Sequence, residues 1–183
     1  MSELEILHAI QNLHTVFLDH LMTLVSALGD HGILWVAIAL LLLFSKKTRR
    51  CGILMAVSML ICLILGNGIL KNTIYRARPC WVDDTVQMLV NIPTDYSFPS
   101  GHTMHGFAAA TVIWLHDRRA GAAALVLAAV IAFSRLYLFV HYPTDVLAGF
   151  CIGTLTAILV VRIDRILRMR KNGKCKERGS MER

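Results

Sequence analysis

Three short clusters of charged and polar residues carry the side chains of this sequence that could do chemistry. They are Lys71 with Arg78-Pro79, then Pro99-Ser100-Gly101-His102, then Ser134-Arg135 followed by His141 and Asp145. Each cluster lies at the end of a long apolar run, and a charged group inside such a run is costly and usually functional. We therefore treat the three clusters as parts of one candidate site.

Three of these residues are cations whose shared ligand would be an anion. Lys71, Arg78 and Arg135 would repel one another if they converged without one, and phosphate suits the planar fork of arginine and the point charge of lysine. Lys71 and Arg78 could instead be interfacial side chains that extend toward water. Arg135 fits that reading less well, because it lies about five residues inside its apolar run. We expect an empty site to be a strained group of like charges, partly relieved by water or a buffer anion.

The other two clusters supply a helix start and two histidines. Ser100 is a favoured helix N-cap, and Gly101 would let the free amides of the first turn approach an oxygen closely. His102 would then give or take a proton beside that anion. Asp145 lies about one helical turn after His141, so it could fix the ring tautomer and leave the other nitrogen free to attack. Alternatively, the first group is only a capped helix and the second only a local hydrogen bond.

Composition favours an integral membrane protein in a single domain. The 183 residues are 56% hydrophobic and only 17% charged, whereas soluble domains are about 25% charged. Several long uncharged runs are typical of membrane spans.

The basic residues indicate topology and not a nucleic acid partner, although the net charge is +7. Four lie at 46–50, two at 118–119 and nine between Arg162 and Arg183, and the remaining four are Lys71, Arg76, Arg78 and Arg135. Positively charged loops stay in the cytoplasm. We therefore expect a cytoplasmic C-terminus and a site on the extracytoplasmic side of the cell membrane. Only Cys80 among the cysteines would lie outside, where it should react with an impermeant reagent, and Cys175 would lie inside.

The apolar runs predict an all-α fold, a polytopic bundle of about five transmembrane helices. The predicted spans are 33–44, 51–70, 101–115, 121–140 and 146–161, with an outer loop at 79–98. Residues 1–28 form an amphipathic N-terminal helix with apolar residues at three-to-four spacing. We favour an interfacial helix there, and the alternative is a sixth span. The single domain thus comprises this helix, a membrane core at 29–163 and a basic cytoplasmic tail at 164–183.

Taken together, the three clusters resemble the signature of the type 2 phosphatidic acid phosphatase superfamily. The pattern K-x6-R-P, P-S-G-H and S-R-x5-H-x3-D is complete here, in order, at Lys71–Pro79, Pro99–His102 and Ser134–Asp145. The motifs cover a small part of the chain, but their combination is highly specific.

The resemblance implies a phosphatase that needs neither metal nor cofactor and forms a covalent phosphohistidine. His141 would be the nucleophile, Asp145 its orienting partner and His102 the general acid. The phosphate ligands would be Lys71, Arg78, Ser100, Gly101 and Arg135. A metal site at His102, His105, His141 and Asp145 is disfavoured, because the nearby cations would oppose a divalent ion.

The implied substrate is a lipid phosphate in the bilayer. Undecaprenyl pyrophosphate, phosphatidylglycerol phosphate and phosphatidic acid all qualify, and oligomeric state is open. Some small undecaprenyl-pyrophosphate phosphatases of the family carry an acidic residue where this chain has Gly101, which weakens that assignment. The alternatives are a lipid phosphotransferase with the same intermediate and a non-catalytic protein that binds lipid phosphates.

Overall fold

The protein is all-α, as predicted. The computed structural model describes residues 2–181, except for the side chains of His31 and of residues 172–181. The described residues form nine α-helices and no strand: α1 (Glu3–Gln11), α2 (Val16–Leu28), α3 (Ile33–Leu43), α4 (Arg49–Leu63), α5 (Lys71–Ile74), α6 (Pro79–Val82), α7 (Gly101–His116), α8 (Arg118–Tyr137) and α9 (Pro143–Met181). A 3₁₀ turn, Asp30–Gly32, precedes α3, and a π-helical segment, Ile64–Leu70, joins α4 to α5.

Long apolar helices identify a membrane protein. Three helical segments are long and apolar enough to cross a bilayer, namely Arg49–Val82, Arg118–Tyr137 and Pro143–Lys171, and α2 and α3 together would make a fourth. Each of the five predicted spans is helical. Helix α7, which begins at Gly101 of the candidate site, has 16 residues, about 24 Å at 1.5 Å per residue.

Helix α7 lies in the middle of the bundle, packed against α4, α8 and α9. Two glycines of α9, one turn apart, let α9 approach α7 closely. A Cβ atom at Gly149 would lie 2.7 Å from the Ser100 carbonyl oxygen, and one at Gly153 would lie 2.3 Å from that of Met104. Small residues at this spacing let membrane helices pack backbone to backbone. They fix α9 against the start of α7, where the candidate site begins.

The helices alternate in direction, so the three motif clusters meet at one end of the bundle. We call this end, with Lys71, Gly101 and Arg135, the site end. The opposite end, the basic end, contains the α3–α4 and α7–α8 connections and an ion pair between Arg50 and Asp164. The predicted alternation of basic loops and motif clusters is therefore present in the fold.

The N-terminal region differs from the prediction of one amphipathic helix. It forms two helices because the chain is capped twice: Ser2 and Glu5 make a reciprocal capping box on α1, and the Thr15 hydroxyl accepts from Leu18 N to start α2. Helix α1 packs on the turn between α8 and α9, with Leu7 fully buried.

Helix α2 lies obliquely over the site end. Asp19, near its start, binds the Tyr137 hydroxyl, and Ser26, near its end, binds Arg135. The two partners on α8, Arg135 and Tyr137, are about 3 Å apart along the axis of α8, whereas Asp19 and Ser26 are about 10 Å apart along α2. The two helices therefore cross at an angle. The apolar residues Phe17, Leu24 and Leu28 remain exposed, so α2 turns its polar face to the protein and its apolar face outward.

The predicted basic tail is helical as far as Met181, as a continuation of α9, and Cys175, like all side chains from 172 onward, lies outside the described part. One further prediction needs correction. Cys80 is not available for labelling, because its side chain is only 6% exposed beneath the outer loop.

Candidate functional site

A cavity of about 980 Å³ lies at the site end. It is lined by six of the eight predicted site residues: Lys71, Arg78, Gly101, His102, Arg135 and His141. The other two, Asp145 and Ser100, are completely buried and do not line it. Residues separated by up to 70 positions in the chain are thus assembled around one space.

His141 lies in the tight turn between α8 and α9, with its two ring nitrogens in different surroundings. Phe139 makes this turn possible by adopting a positive φ of 58°, and it is held there by burial. Nε2 lies 3.2 Å from Arg78 Nη1, on the cavity side, whereas Nδ1 lies 3.3 Å from Ser97 Oγ. Burial lowers the pKa of His141 to about 3. The imidazole is therefore neutral, with Nε2 directed toward the cations.

Asp145 contacts His141 largely through a serine. The direct distance from His141 Nδ1 to Asp145 Oδ2 is 3.6 Å, too long for a good hydrogen bond. Ser97 Oγ lies between them and donates to the same Oδ2, which also accepts from Tyr142 N at 2.9 Å. The predicted pairing of His141 with Asp145 is thus present as a 3.6 Å contact between a neutral ring and the carboxylate, and Ser97 bridges it.

Lys71 and Arg78 share a carboxylate, contrary to the expectation of an unrelieved group of cations. Asp95, in the loop before α7, accepts from Lys71 Nζ and from Arg78 Nη2, the latter at 2.7 Å. Arg78 Nε also donates to the Asp95 carbonyl at 2.7 Å, and Nη1 donates to the Val140 carbonyl at 2.8 Å. Burial raises the pKa of Asp95, but the hydrogen bond from Lys71 and both positive charges lower it to about 2.

Of the three cations at the site, Arg135 is the least compensated. Its side chain is 6% exposed, and Nη1 donates to the Ser26 hydroxyl of α2. Its Nε has no hydrogen-bond partner in the part of the chain that the structure describes. A buried guanidinium with a free N–H beside a cavity is well suited to bind an oxyanion.

His102 is paired with a second carboxylate that the sequence did not reveal. Its Nε2 lies 2.7 Å from Asp30 Oδ1, in the turn before α3. Gly29 permits this contact, since a Cβ there would lie 2.7 Å from the His102 ring.

His105 binds the Gly101 carbonyl at 2.8 Å. Among the described residues, no three His, Cys, Asp or Glu side chains converge as metal ligands would.

Ser100 precedes α7 as predicted but does not cap it with its side chain. Its hydroxyl accepts from Thr103 Oγ1 at 3.0 Å, and its N–H donates to the Asp145 carbonyl at 3.1 Å. Gly101 faces open space, because a Cβ there would meet only Asn67 Oδ1, at 3.7 Å. The helix start thus presents Gly101 to the cavity and ties Ser100 to the turn that carries Asp145.

Sequence reasoning assigned no role to Asp30, Asp95, Ser97 or Arg76. Asp95 and Ser97 closely precede Pro99, and Arg76 lies inside the first motif, so proximity to a motif was a usable signal for these three. Asp30 had no such signal, because a turn aspartate at that position has no fixed spacing to His102.

The chain is similar in sequence and in fold to known lipid phosphatases. A family model described as "PAP2 superfamily" matches residues 51–168. An undecaprenyl-diphosphatase of Sulfolobus acidocaldarius is 32% identical over 148 residues, 80% of this chain and 71% of that protein. The crystal structure of a transmembrane PAP2-type phosphatidylglycerolphosphate phosphatase from Bacillus subtilis has a TM-score of 0.73 at 31% identity, covering 89% of this chain and 84% of that one.

A second solved structure gives the same result. Aquifex aeolicus LpxE superimposes with a TM-score of 0.76 at 26% identity, over 87% of this chain and 94% of that one. The matched region contains all three motif clusters, and the cavity described above joins them. This chain belongs to the PAP2 superfamily of membrane phosphatases.

Proposed function

We propose that the protein hydrolyses the phosphomonoester or pyrophosphate headgroup of a membrane lipid through a covalent phosphohistidine at His141. The observation that carries this proposal is the orientation of the His141 ring. Nδ1 is engaged by Ser97 and Asp145, while Nε2 is directed into a cavity lined by Lys71, Arg78 and Arg135. A neutral nucleophile beside three cations suits an attack on a phosphorus atom that carries negative charge.

The first chemical step forms the phosphoenzyme. His141 Nε2 attacks phosphorus and forms an N–P bond, while the P–O bond to the lipid breaks and His102 gives its proton to the leaving oxygen. Asp30 keeps the His102 ring in place. Lys71, Arg78, Arg135 and the amide of Gly101 stabilise the charge on the transferring oxygens. The N–H of Ser100 is bound to the Asp145 carbonyl, so it is not available to the phosphate.

The second step returns the enzyme to its starting state. Water attacks phosphorus, the N–P bond breaks, and His102 takes the proton that the water loses. Inorganic phosphate then leaves. If an alcohol replaced water, the same intermediate would make the protein a phosphotransferase, so product analysis with and without an acceptor alcohol separates the two activities.

The surroundings of the cavity favour a lipid substrate. An apolar groove of about 260 Å³ between α3 and α4 shares Leu63 and His105 with the cavity. Its other walls are aliphatic, including Val36, Leu40 and Leu60. A headgroup in the cavity could therefore have its hydrocarbon chain in this groove. Because the similar proteins include an undecaprenyl-diphosphatase and a phosphatidylglycerolphosphate phosphatase, undecaprenyl pyrophosphate and phosphatidylglycerol phosphate are the first substrates to test.

Phosphate release from these two lipids and from phosphatidic acid, measured on purified protein, tests the proposal. We expect turnover of at least one lipid without added metal, unchanged by a chelator. His141→Ala should abolish turnover and the phosphoenzyme trapped by rapid quenching, with an unchanged thermal midpoint. Turnover that persists in folded His141→Ala would exclude His141 as the nucleophile.

We also propose that the site end lies outside the cytoplasm, with the C-terminus inside. The distribution of basic residues supports this orientation. Because Cys80 is buried, the test uses exposed positions: Asp84→Cys in the outer loop and Lys47→Cys at the basic end. On intact cells an impermeant thiol reagent should label the first variant and spare the second. The opposite pattern would reverse the topology.

A further inference from the structure

The two oxygens of the Asp145 carboxylate have different neighbours. Oδ2 accepts from Ser97 and from Tyr142 N, on the side of His141. Oδ1 accepts from Arg76 Nη1 at 2.6 Å. The carboxylate is completely buried, and a buried charge needs both a counter-charge and hydrogen bonds. Arg76 supplies the only full positive charge in hydrogen-bond contact with Asp145 among the described residues.

Arg76 is itself fixed by contacts on three sides. The same Nη1 donates to Thr144 Oγ1 at 2.6 Å, Nη2 donates to the carboxylate of Glu3, and the guanidinium lies 4.1 Å from the centre of the Tyr142 ring. Arg76 is not among the residues that line the catalytic cavity. It therefore contacts the carboxylate behind the nucleophile and not the space for phosphate.

Glu3 connects this arrangement to the N-terminal helix. Its Oε1 accepts from Thr144 N at 2.9 Å and from Thr144 Oγ1 at 2.7 Å, at the first turn of α9. Burial raises the pKa of Glu3, but the hydrogen bonds from Thr144 and Arg76 outweigh it and lower the pKa. Helix α1 also places His8 against Phe139, with ring centres 5.4 Å apart, in the turn that carries His141.

We propose that Arg76 is a positioning residue for phosphoryl transfer, which fixes Asp145 and through it the ring of His141, and that Glu3 of α1 fixes Arg76. This inference rests on the proposed role of His141. It assigns a function in catalysis to α1, which lies outside the region 51–168 matched by the family model. Without Arg76 the carboxylate would lose its outer contact, and the ring would no longer be restricted to the attacking orientation.

The test compares Arg76→Gln, Arg76→Lys and Glu3→Gln with wild type, using the lipid that wild type hydrolyses. Arg76→Gln should lower kcat by about 10- to 100-fold, since small misplacements of a reacting group have effects of that size. KM and the affinity for vanadate should change less than about threefold, because the cavity walls are intact. Arg76→Lys should retain an intermediate kcat, since a point charge reaches Asp145 but cannot also bind Glu3 and Thr144.

Two further measurements separate positioning from folding. Glu3→Gln should lower kcat in the wild-type background but have no further effect in Arg76→Gln, because Glu3 acts through Arg76. In Arg76→Ala, millimolar guanidinium should restore part of kcat, which a purely structural defect would not allow. The matched control is Arg50→Gln, which removes an arginine ion pair with Asp164 at the basic end and should leave kcat unchanged.

The outcomes distinguish this inference from the function on which it rests. If wild type forms no phosphoenzyme that depends on His141, the proposed function fails. If wild type behaves as proposed but folded Arg76→Gln and Arg76→Lys have the kcat of Arg50→Gln, the role of Arg76 alone is refuted. A loss of activity that only follows the folded fraction, without guanidinium rescue, also refutes it.

Discussion

Asp95 lies between Lys71 and Arg78, two of the proposed phosphate ligands, so its removal should tighten anion binding. Asp95 accepts from Lys71 Nζ and Arg78 Nη2, and it lies in a loop that also lines the cavity. An entering phosphate must take over these contacts or share them with the carboxylate. Asp95→Asn keeps the size of the side chain and the backbone contact from Arg78 Nε, and removes only the charge.

The shift in the pKa of Asp95 sets the size of the effect. A decrease from 3.8 to about 2 corresponds to about 2.4 kcal/mol of favourable interaction with the cations. The Asp95 side chain is 53% exposed, so solvent screening reduces this to about 1 kcal/mol. If the anion no longer competes with the carboxylate, its Kd should decrease about fivefold. The anion-free variant should be less stable by a similar amount, about 1 kcal/mol.

Vanadate inhibition and thermal unfolding measure both effects on one preparation. We expect a lower inhibition constant for Asp95→Asn, a lower thermal midpoint without anion, and a larger increase in midpoint when vanadate is added. Asp84→Asn is the matched control, because it removes an equal charge from an exposed position of the same loop. Equal or weaker vanadate binding by Asp95→Asn, with the control unchanged, would refute competition and make Asp95 a group that positions the two cations.

Three further predictions concern the histidines and Arg135. His102→Ala should lower the turnover rate about 10²–10⁴-fold on an alkyl phosphate lipid but much less on an aryl phosphate, whose leaving group needs no proton. Equal losses of rate on the two substrates would mean that His102 is not the general acid. Arg135→Leu should lose turnover while the anion-free protein keeps its thermal midpoint, because the substitution removes a buried charge that is incompletely compensated. Arg135→Lys should lose much of the stabilisation by vanadate. If Arg135→Leu instead unfolds, Arg135 is a member of a structural ion pair. The lowered pKa of His141 means that the unfolded chain binds a proton at this residue more readily than the folded one, so the free energy of unfolding should decrease as pH falls below about 6.5 and continue to decrease toward 3. His141→Gln should show a smaller decrease in thermal midpoint over this range. An identical pH dependence in the variant and in wild type would mean that His141 is not buried and neutral.

Sequence alone was sufficient for the apolar helices of the core and for the residues of the three clusters. Apolar runs at 101–115 and 121–140 predict helices because a bilayer leaves the backbone no other way to satisfy its hydrogen bonds. Arg135 is a charge inside the second of these runs, which predicts a functional residue, because an arginine that faced lipid there would be costly. The alternation of basic loops and motif clusters then places Lys71, His102 and His141 at one end, because each span reverses the direction of the chain.

Tertiary structure decided which groups compensate those charges. Asp30, Asp95 and Ser97 are ordinary turn and loop residues by composition, and their partners are fixed by how loops fold over the bundle. The N-terminal helix shows the same limit, because the periodicity of 3–28 continues through the break at 12–15. The cap at Thr15 starts α2 as a helix separate from α1, and packing against the turn near Phe139 decides where α1 lies.

Arg76 shows most clearly what the sequence determined and what the fold decided. The sequence places a second arginine two residues before Arg78, but it does not say where that long, flexible side chain points. The direction comes from Glu3 and Asp145, which are 142 residues apart in the chain and meet only when α1 packs on the start of α9. Charge and hydropathy are local properties of a sequence, whereas the pairing of buried charges depends on contacts between distant segments.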